Sequence, residues 1–255
     1  MKLSVVIPAR NEEGSIPSTI LAVTEVLRRE GIEYEVLVVD DGSTDSTAAL
    51  VRRLGIDDPG VRLVGNAGPA GYGMAVRTGI TAFTGDAVAI MMADCSDSPA
   101  DLVGYFQKIE EGYECVFGSR FVEGGKVIDY PPHKLLLNRL ANAFIKFLFA
   151  IPYNDVTNAF KCYRREVIEG LQPLISRHFN LTVEMPLKAM IRGYSYSVVP
   201  ITWTNRVTGI SKLKIREMGS RYLFIVLYLW LEKHLSRGDY LRDQERPAAA
   251  ESEPR

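Results

Sequence analysis

Short apolar runs alternate along the first half of the chain with stretches whose apolar residues recur every three or four positions. Leu3-Ser4-Val5-Val6-Ile7-Pro8 is too short and too β-branched for a helix and predicts a buried strand over 2–8. Ile16, Ile20, Leu21, Val23, Val26 and Leu27 then share a helical face and predict a helix over about 15–30. A strand over 34–40 follows, then a helix over 45–54 with Ser43 or Thr44 as its N-cap, and a strand over 61–65. A glycine-rich loop over 68–73 leads into a helix through Ala75, Val76 and Ile80. The strand over 86–92 ends at Ala93-Asp94, Pro99 opens a helix through Leu102, Tyr105, Phe106 and Ile109, and the strand over 114–118 ends at Ser119-Arg120. Strand–helix alternation of this kind predicts an α/β fold, Rossmann-like, with a mostly parallel sheet and flanking helices.

After Arg120 the rhythm changes. A loop with Gly124-Gly125 precedes an apolar helix over 135–151, then Asp155-Val156-Thr157-Asn158, a short helix near Arg165, a helix over 182–193, a strand from Tyr196 to Thr202 and a long helix over about 213–236. No internal repeat is visible. The expected division is an α/β domain over 1–212, an amphipathic helix over 213–237 and a disordered polar tail over 238–255.

Three of the predicted strands end in carboxylates, at Asp40-Asp41, at Asp94 and Asp97, and in the loop Pro8-Ala9-Arg10-Asn11-Glu12. In an open α/β sheet, ligands bind at the carboxyl ends of the strands. Asp94 suits Mg²⁺ or Mn²⁺, which take oxygen ligands and bridge to diphosphates. Its alternative use, capping the helix after Pro99, suits Asp97 or Ser98 better. Asp40-Asp41 can hydrogen-bond a base or ribose, although Asp-Gly is also a turn signal. The loop Gly68–Gly73 can cradle phosphate at a helix start, but it matches neither Gly-x-Gly-x-x-Gly nor a Walker sequence. Arg120, Lys126, Lys134, Arg139, Arg206 and Lys212 supply cations suited to phosphate, or a solvated face. Glu184 sits among Leu181, Val183, Met185 and Leu187, so it needs a partner such as Arg206, or acts as a base. His178 receives no role.

Composition narrows this picture. Thirty basic and 31 acidic residues leave a net charge of −1, which gives no reason to expect nucleic acid as a partner. Three cysteines, widely spaced, offer neither a zinc set nor a disulfide framework and fit a reduced, cytoplasmic setting. The first residues do not read as a signal peptide. No apolar run reaches the roughly 18–20 residues that span a bilayer. Leu223 to Leu231 is apolar nearly all round and flanked by Lys212, Lys214, Arg216, Arg221 and Lys233. That suits a helix in a membrane interface, a contact with a membrane subunit, or a homo-oligomer.

Taken together, the chain resembles family 2 glycosyltransferases of the GT-A fold, and within them the polyprenyl-phosphate (dolichyl-phosphate) hexosyltransferases. The likeness runs over about residues 3–215. It is carried by Val5-Val6-Ile7-Pro8 with Asn11-Glu12, Val38-Val39-Asp40-Asp41-Gly42-Ser43-Thr44-Asp45, Gly71-Tyr72-Gly73-Met74-Ala75, Met92-Ala93-Asp94 with Pro99, and Gly118-Ser119-Arg120-Phe121-Val122. Asn138-Arg139-Leu140-Ala141-Asn142, Asp155 to Lys161, Val183-Glu184 and Asn205-Arg206 to Lys212 continue it.

The resemblance implies an inverting transfer of a hexose from a UDP- or GDP-sugar to a polyprenyl phosphate, with Mg²⁺ or Mn²⁺. Pro8, Ala9, Glu12 and Asp40 would hold the nucleoside, with Arg10, Asp41 and Gly71 beside them. Asp94, helped by Ser96 or Asp97, would hold the metal. Arg120 and Arg206 would grip phosphate and act in catalysis, with Lys134, Arg139 and Glu184 on the acceptor side and Lys212 closing over the site. The expected location is cytoplasmic, on the inner face of a membrane.

Three departures from the family pattern stand out. Met92 replaces the first carboxylate of the usual Asp-x-Asp, Arg10 stands where relatives often carry an aromatic residue, and C-terminal transmembrane helices are absent. A glycan or small-molecule hydroxyl as acceptor, and a weakened nucleotide-binding scaffold, remain alternatives. A nucleotidyltransferase fits less well, for want of a basic phosphate loop after the first strand.

Overall fold

The computed structural model describes residues 1–205 and 215–242. The strands are β1 (Lys2–Ala9), β2 (Glu33–Asp40), β3 (Val61–Gly65), β4 (Ala87–Ile90), β5 (Cys115–Ser119), β6 (Lys126–Ile128), β7 (Lys161–Arg164), β8 (Tyr196–Pro200) and β9 (Thr202–Thr204). The helices are α1 (Ile16–Arg29), α2 (Thr47–Asp57), α3 (Tyr72–Ala82), α4 (Asp101–Glu110), α5 (Pro132–Phe149), α6 (Arg165–Gly170), α7 (Leu181–Ile191) and α8 (Ile215–Leu235).

Seven strands form one sheet in the order β3-β2-β1-β4-β7-β5-β8. β1, β2, β3 and β4 pair in parallel, as do β5 and β8. β7 lies antiparallel between β4 and β5. The sequence reading placed no strand there, and its single strand from Tyr196 to Thr202 is two strands, β8 and β9. β9 leaves the sheet to pair with β6 in a two-stranded ribbon.

Period-two alternation sends successive side chains to opposite faces, and here both faces are covered. Leu3, Val5 and Ile7 of β1 pack with Ile16, Ile20 and Val23 of α1 and Leu102 of α4. Val6, between them, packs on the other face with Val76 and Ile80 of α3. Burial on both sides explains why β1 and β2 read as unbroken apolar runs. α3 sits so close to the sheet that a Cβ on Gly79 would overlap the Val6 side chain.

α8 belongs to this fold. Ile225, Val226 and Leu229 are buried in the core shared with α5 and α7, and Glu232 forms a buried ion pair with Arg192 at 2.9 Å. The first residues of the segment expected to be a disordered tail pack back on the body: Arg242 pairs with Glu114, and Tyr240 lies near the Arg192 guanidinium. Among the described residues, no helix is long and apolar enough to cross a membrane.

Candidate active site

The carboxyl ends of β1, β2, β4 and β5 open on one side of the sheet, and their loops are pinned to one another. Asn11 donates its N–H to Ser43 Oγ (3.0 Å) and accepts Thr44 N–H (2.8 Å). Glu12 N–H donates to Thr47 Oγ1 (2.9 Å), and Glu13 accepts Ser46 N–H (2.9 Å). Ser43 therefore latches two loops and does not cap α2, which begins at Thr47 after Ser46.

Strand register sets Ala9 beside Asp40 and buried Pro8 beside Val39. Arg10 is exposed at the lip and Glu12 half-buried, its carboxylate accepting from Ser15 Oγ at 3.2 Å. Asp40 accepts Ser43 N–H (3.1 Å) and borders an open groove of about 400 Å³ that Arg52, Ile56, Leu63 and Gly65 also line.

Asp41 and Gly71, expected to face the nucleotide, serve the frame. Asp41 is buried and accepts Asn66 Nδ2–H (2.7 Å) and Gly71 N–H (2.9 Å). Gly71 thus gives its N–H to Asp41 rather than to phosphate. A Cβ on Gly71 or Gly73 would lie 2.7 Å from backbone atoms of Arg177. The glycines let the 177–178 segment approach, which Met74 N–H bonds at Arg177 O (3.2 Å).

The turn after β4 carries two carboxylates, Asp94 and Asp97. Asp94 Oδ1 accepts Ser96 N–H (3.1 Å), and Cys95 takes φ +59° to make the bend. Asp97, only 2% exposed, reaches back so that Oδ2 accepts Met92 N–H (3.0 Å). It does not cap α4. Burial pushes its carboxyl pKa up to about 7; the Met92 N–H pulls the other way and the charge of Asp94 adds to the rise. The turn is also fastened to β9. Thr204 N–H donates to Ser96 O (2.9 Å) and Thr202 N–H to Asp101 Oδ2 (2.8 Å).

On the far side of the opening, Arg120 ends β5 and is held by Asp155, through Nε–H to Oδ2 (2.8 Å) and Nη2–H to Oδ1 (2.6 Å). Asp155 is fully buried and Arg120 nearly so. Burial lowers the pKa of the guanidinium, but the Asp155 charge beside it raises it further and keeps it ionised. Phe121, Tyr130 and Trp203 surround this cation. Arg139 stacks over Phe121 at 4.3 Å from the ring centre, so two guanidiniums share one aromatic ring.

Asn142 of α5 donates to Thr157 Oγ1 (2.9 Å) and accepts Thr157 N–H (3.2 Å), tying the helix that carries Arg139 to the loop that carries Asp155. Lys161 is buried beneath that loop, its Nζ donating to the carbonyls of Val156, Asn158 and Thr182. Burial lowers its pKa to about 7, while Asp155 and Asp97 favour the charged form. Sequence reasoning gave Asp155 and Lys161 no individual roles. Their signal was a set of polar residues, Asp155, Asn158 and Lys161, inside an apolar stretch.

Lys134 is half-buried in the first turn of α5. Glu184 is corrected. It is fully buried, ion-paired with Lys188 at 2.9 Å, and accepts the N–H groups of Ile175 (2.8 Å) and Ser176 (2.7 Å). A carboxylate sealed in this way neither meets an acceptor nor takes up a proton from one. Arg206 and Lys212 lie outside the described residues.

A family model described as glycosyl transferase family 2 matches residues 4–171. The chain is 34% identical over 215 residues to a polyprenol monophosphomannose synthase of Mycolicibacterium smegmatis, spanning 82% of this chain and 80% of that protein. It is 32% identical over 219 residues to a dolichol-phosphate mannosyltransferase of Pyrococcus furiosus, spanning 84% of this chain and 60% of that one. Among solved structures, glucosyl-3-phosphoglycerate synthase from Mycobacterium tuberculosis in complex with phosphoglyceric acid superposes with a TM-score of 0.67 at 20% identity, covering 91% of this chain and 79% of that one. Its complex with Mn²⁺, UDP-glucose and phosphoglyceric acid gives a TM-score of 0.66 at 18% identity, again covering 91% and 79%. At such identities these structures speak for the fold.

Proposed function

Because this chain belongs to glycosyl transferase family 2, we propose that it moves a hexose from a nucleotide-diphosphate sugar to a polyprenyl phosphate. One arrangement carries the reading. Arg120 and Arg139 flank Phe121, and the helix bearing Arg139 exposes Leu136, Leu137, Leu140, Phe144 and Phe147. Cations beside an exposed apolar helix match an acceptor with an anionic head and a hydrocarbon tail. The names of the two relatives agree with it.

The acceptor phosphate oxygen would attack the anomeric carbon as the bond from that carbon to the nucleoside diphosphate breaks, inverting the configuration. A phosphate nucleophile is already an anion and needs no general base. That fits a site in which Glu184 is sealed and Asp155 is held by Arg120. Arg120 is fixed by a bidentate partner and is therefore set in place before substrate arrives. Pro8, Ala9, Arg10, Glu12 and Asp40 stand on the donor side. The oxygen donors of the turn after β4, Asp94 with Ser96, fit Mg²⁺ or Mn²⁺, whereas the thioether of Met92 does not. Such a cation, when bound, neutralises charge on the departing diphosphate.

α8 also exposes Leu223, Phe224, Leu227, Leu231 and Leu235, and Lys233 joins it to α5 through Phe149 O (2.6 Å). We assign these two apolar faces to contact with a membrane surface, where the lipid acceptor resides.

The deciding experiment incubates the protein with radiolabelled UDP- and GDP-sugars, Mg²⁺ or Mn²⁺, and undecaprenyl or dolichyl phosphate, then extracts into organic solvent. Label in the organic phase is the expected result, and it identifies the donor. Label confined to water, with the donor intact and nucleotide still bound, overturns the lipid acceptor in favour of a hydroxyl acceptor or a nucleotide-binding scaffold.

A further inference from the structure

Lys161 lies on β7, in the middle of the sheet, and is 1% exposed. An ammonium taken out of water needs a full set of acceptors. Its three N–H bonds each meet a carbonyl: Val156 O at 3.1 Å, Asn158 O, and Thr182 O at 3.3 Å. The third of these is a carbonyl that its own helix leaves without a donor. Thr182 stands in the first turn of α7, and the residue four places on is Pro186, which has no N–H to return to it. Lys161 supplies the missing donor.

The other two carbonyls belong to the loop over 153–158, whose side chains hold the acceptor side together. Asn154 accepts Ser119 Oγ–H (2.7 Å) and donates to Phe121 O (3.1 Å). Asp155 grips Arg120, Thr157 joins α5 through Asn142, and Asn158 donates to Gly118 O (3.1 Å). These bonds fix the end of β5 and the helix that carries Arg139. The loops after β1 and β2 are secured differently, latched to each other through Asn11 with Ser43 and Thr44.

We propose that Lys161 is a positioning residue for the acceptor half of the site: its ammonium ties the 153–158 loop to α7 and so sets the place of the Asp155–Arg120 pair and of Arg139. This rests on the reading of those cations as the seat of the acceptor phosphate. Buried beneath the loop, Lys161 acts on substrate only through it. The chemistry is particular to lysine. Three donors spread around one nitrogen reach carbonyls on two different segments, whereas the planar fork of arginine aims its donors in one plane.

The test compares the full-length parent with Lys161→Met, which removes all three donors, and Lys161→Arg, which keeps the charge. Steady-state transfer to undecaprenyl phosphate gives kcat and the acceptor KM, and calorimetry gives the Kd for UDP and GDP. In both variants kcat/KM for the acceptor should fall about tenfold or more through a raised KM, while the nucleotide Kd stays within about twofold of the parent. A merely structural pin would lower the folded fraction instead, reducing kcat and binding stoichiometry with the acceptor KM unchanged. That pattern overturns the positioning role, as does a nucleotide Kd that weakens as much as the acceptor KM, or failure of both variants to fold by near-ultraviolet circular dichroism. A parent that transfers nothing to the lipid phosphate overturns the acceptor reading itself, and this proposal with it.

Discussion

Asp155 accepts the backbone N–H of Arg120 at 3.0 Å as well as two hydrogen bonds from its guanidinium, so one buried carboxylate fixes both the end of β5 and the direction of the cation that leaves it. Asp155→Asn keeps the shape and removes the charge. It should destabilise the fold by about 3–5 kcal/mol, as breaking a buried pair does, and depress transfer in whatever remains folded. Urea unfolding beside the transfer assay measures both. Arg120→Lys, which cannot fork, should not substitute. An Asp155→Asn protein as stable and active as the parent refutes the relationship.

Asp94→Ala should lower transfer about 100-fold or more in a protein that still folds; Asp94 Oδ1 accepts Ser96 N–H within its own turn. EDTA should abolish activity reversibly, with Mg²⁺ or Mn²⁺ restoring it. Near-normal transfer by Asp94→Ala ends the metal assignment.

Glu184→Gln should behave as a stability variant. Lys188 would lose its ion-pair partner in a fully buried place, at a cost of about 3 kcal/mol or more. The KM for acceptor should stay within about twofold in the folded fraction, since the carboxylate has no path to substrate. A large KM change with unaltered stability returns Glu184 to the acceptor side.

Glu35 predicts the acid limb of stability. Burial alone would raise its pKa, but hydrogen bonds from Ser4, Thr84 and Arg62 outweigh burial and hold it below the ordinary 4.5. The folded state therefore binds the proton less readily than the unfolded chain, so the stabilisation is present above pH 4.5 and is lost as pH falls through the depressed value. Glu35→Gln should be less stable than the parent at neutral pH, and the difference should shrink as the pH falls below 4.5. Denaturant midpoints across pH 3–7 read it; a difference that does not vary with pH contradicts the sign.

Phe147 is 83% exposed and Phe224 62%. Phe147→Asp with Phe224→Asp should leave the thermal midpoint unchanged and greatly reduce flotation with liposomes containing anionic lipid. Parent protein that stays in the soluble fraction, or a double variant that floats equally well, removes the membrane contact.

Much of the sheet was legible because β1, β2, β4 and β5 are covered on both faces, so each reads as a bare apolar run. β7 escaped because Lys161-Cys162-Tyr163-Arg164 begins and ends in charge and owes its place to partners on either side, an influence that local pattern does not carry. In the site, the clustering of strand ends brought Asp40 and Asp94 to the same edge of the sheet, at the end of β2 and just after β4. Asp41 was misplaced because an Asp at a strand end looks the same whether it faces a ligand or the next loop. Glu184 had a visible alternative: Lys188 is one helical turn away, and such spacing pairs opposite charges.

β7 also governs how the protein is made. Its residues 161–164 seal the gap between β4, complete at residue 90, and β5, complete at 119. On the ribosome, the N-terminal βα units emerge with β4 as an open, apolar edge and wait some seventy residues for the strand that covers it. Among the described residues, β7 is the strand that joins the two halves of the sheet, which makes its closure a long-range event and slows it relative to the local pairings before it. A chain interrupted before Lys161 keeps the loops after β1, β2 and β4 but leaves that edge bare, and it should partition into aggregates or chaperones rather than into a smaller working domain.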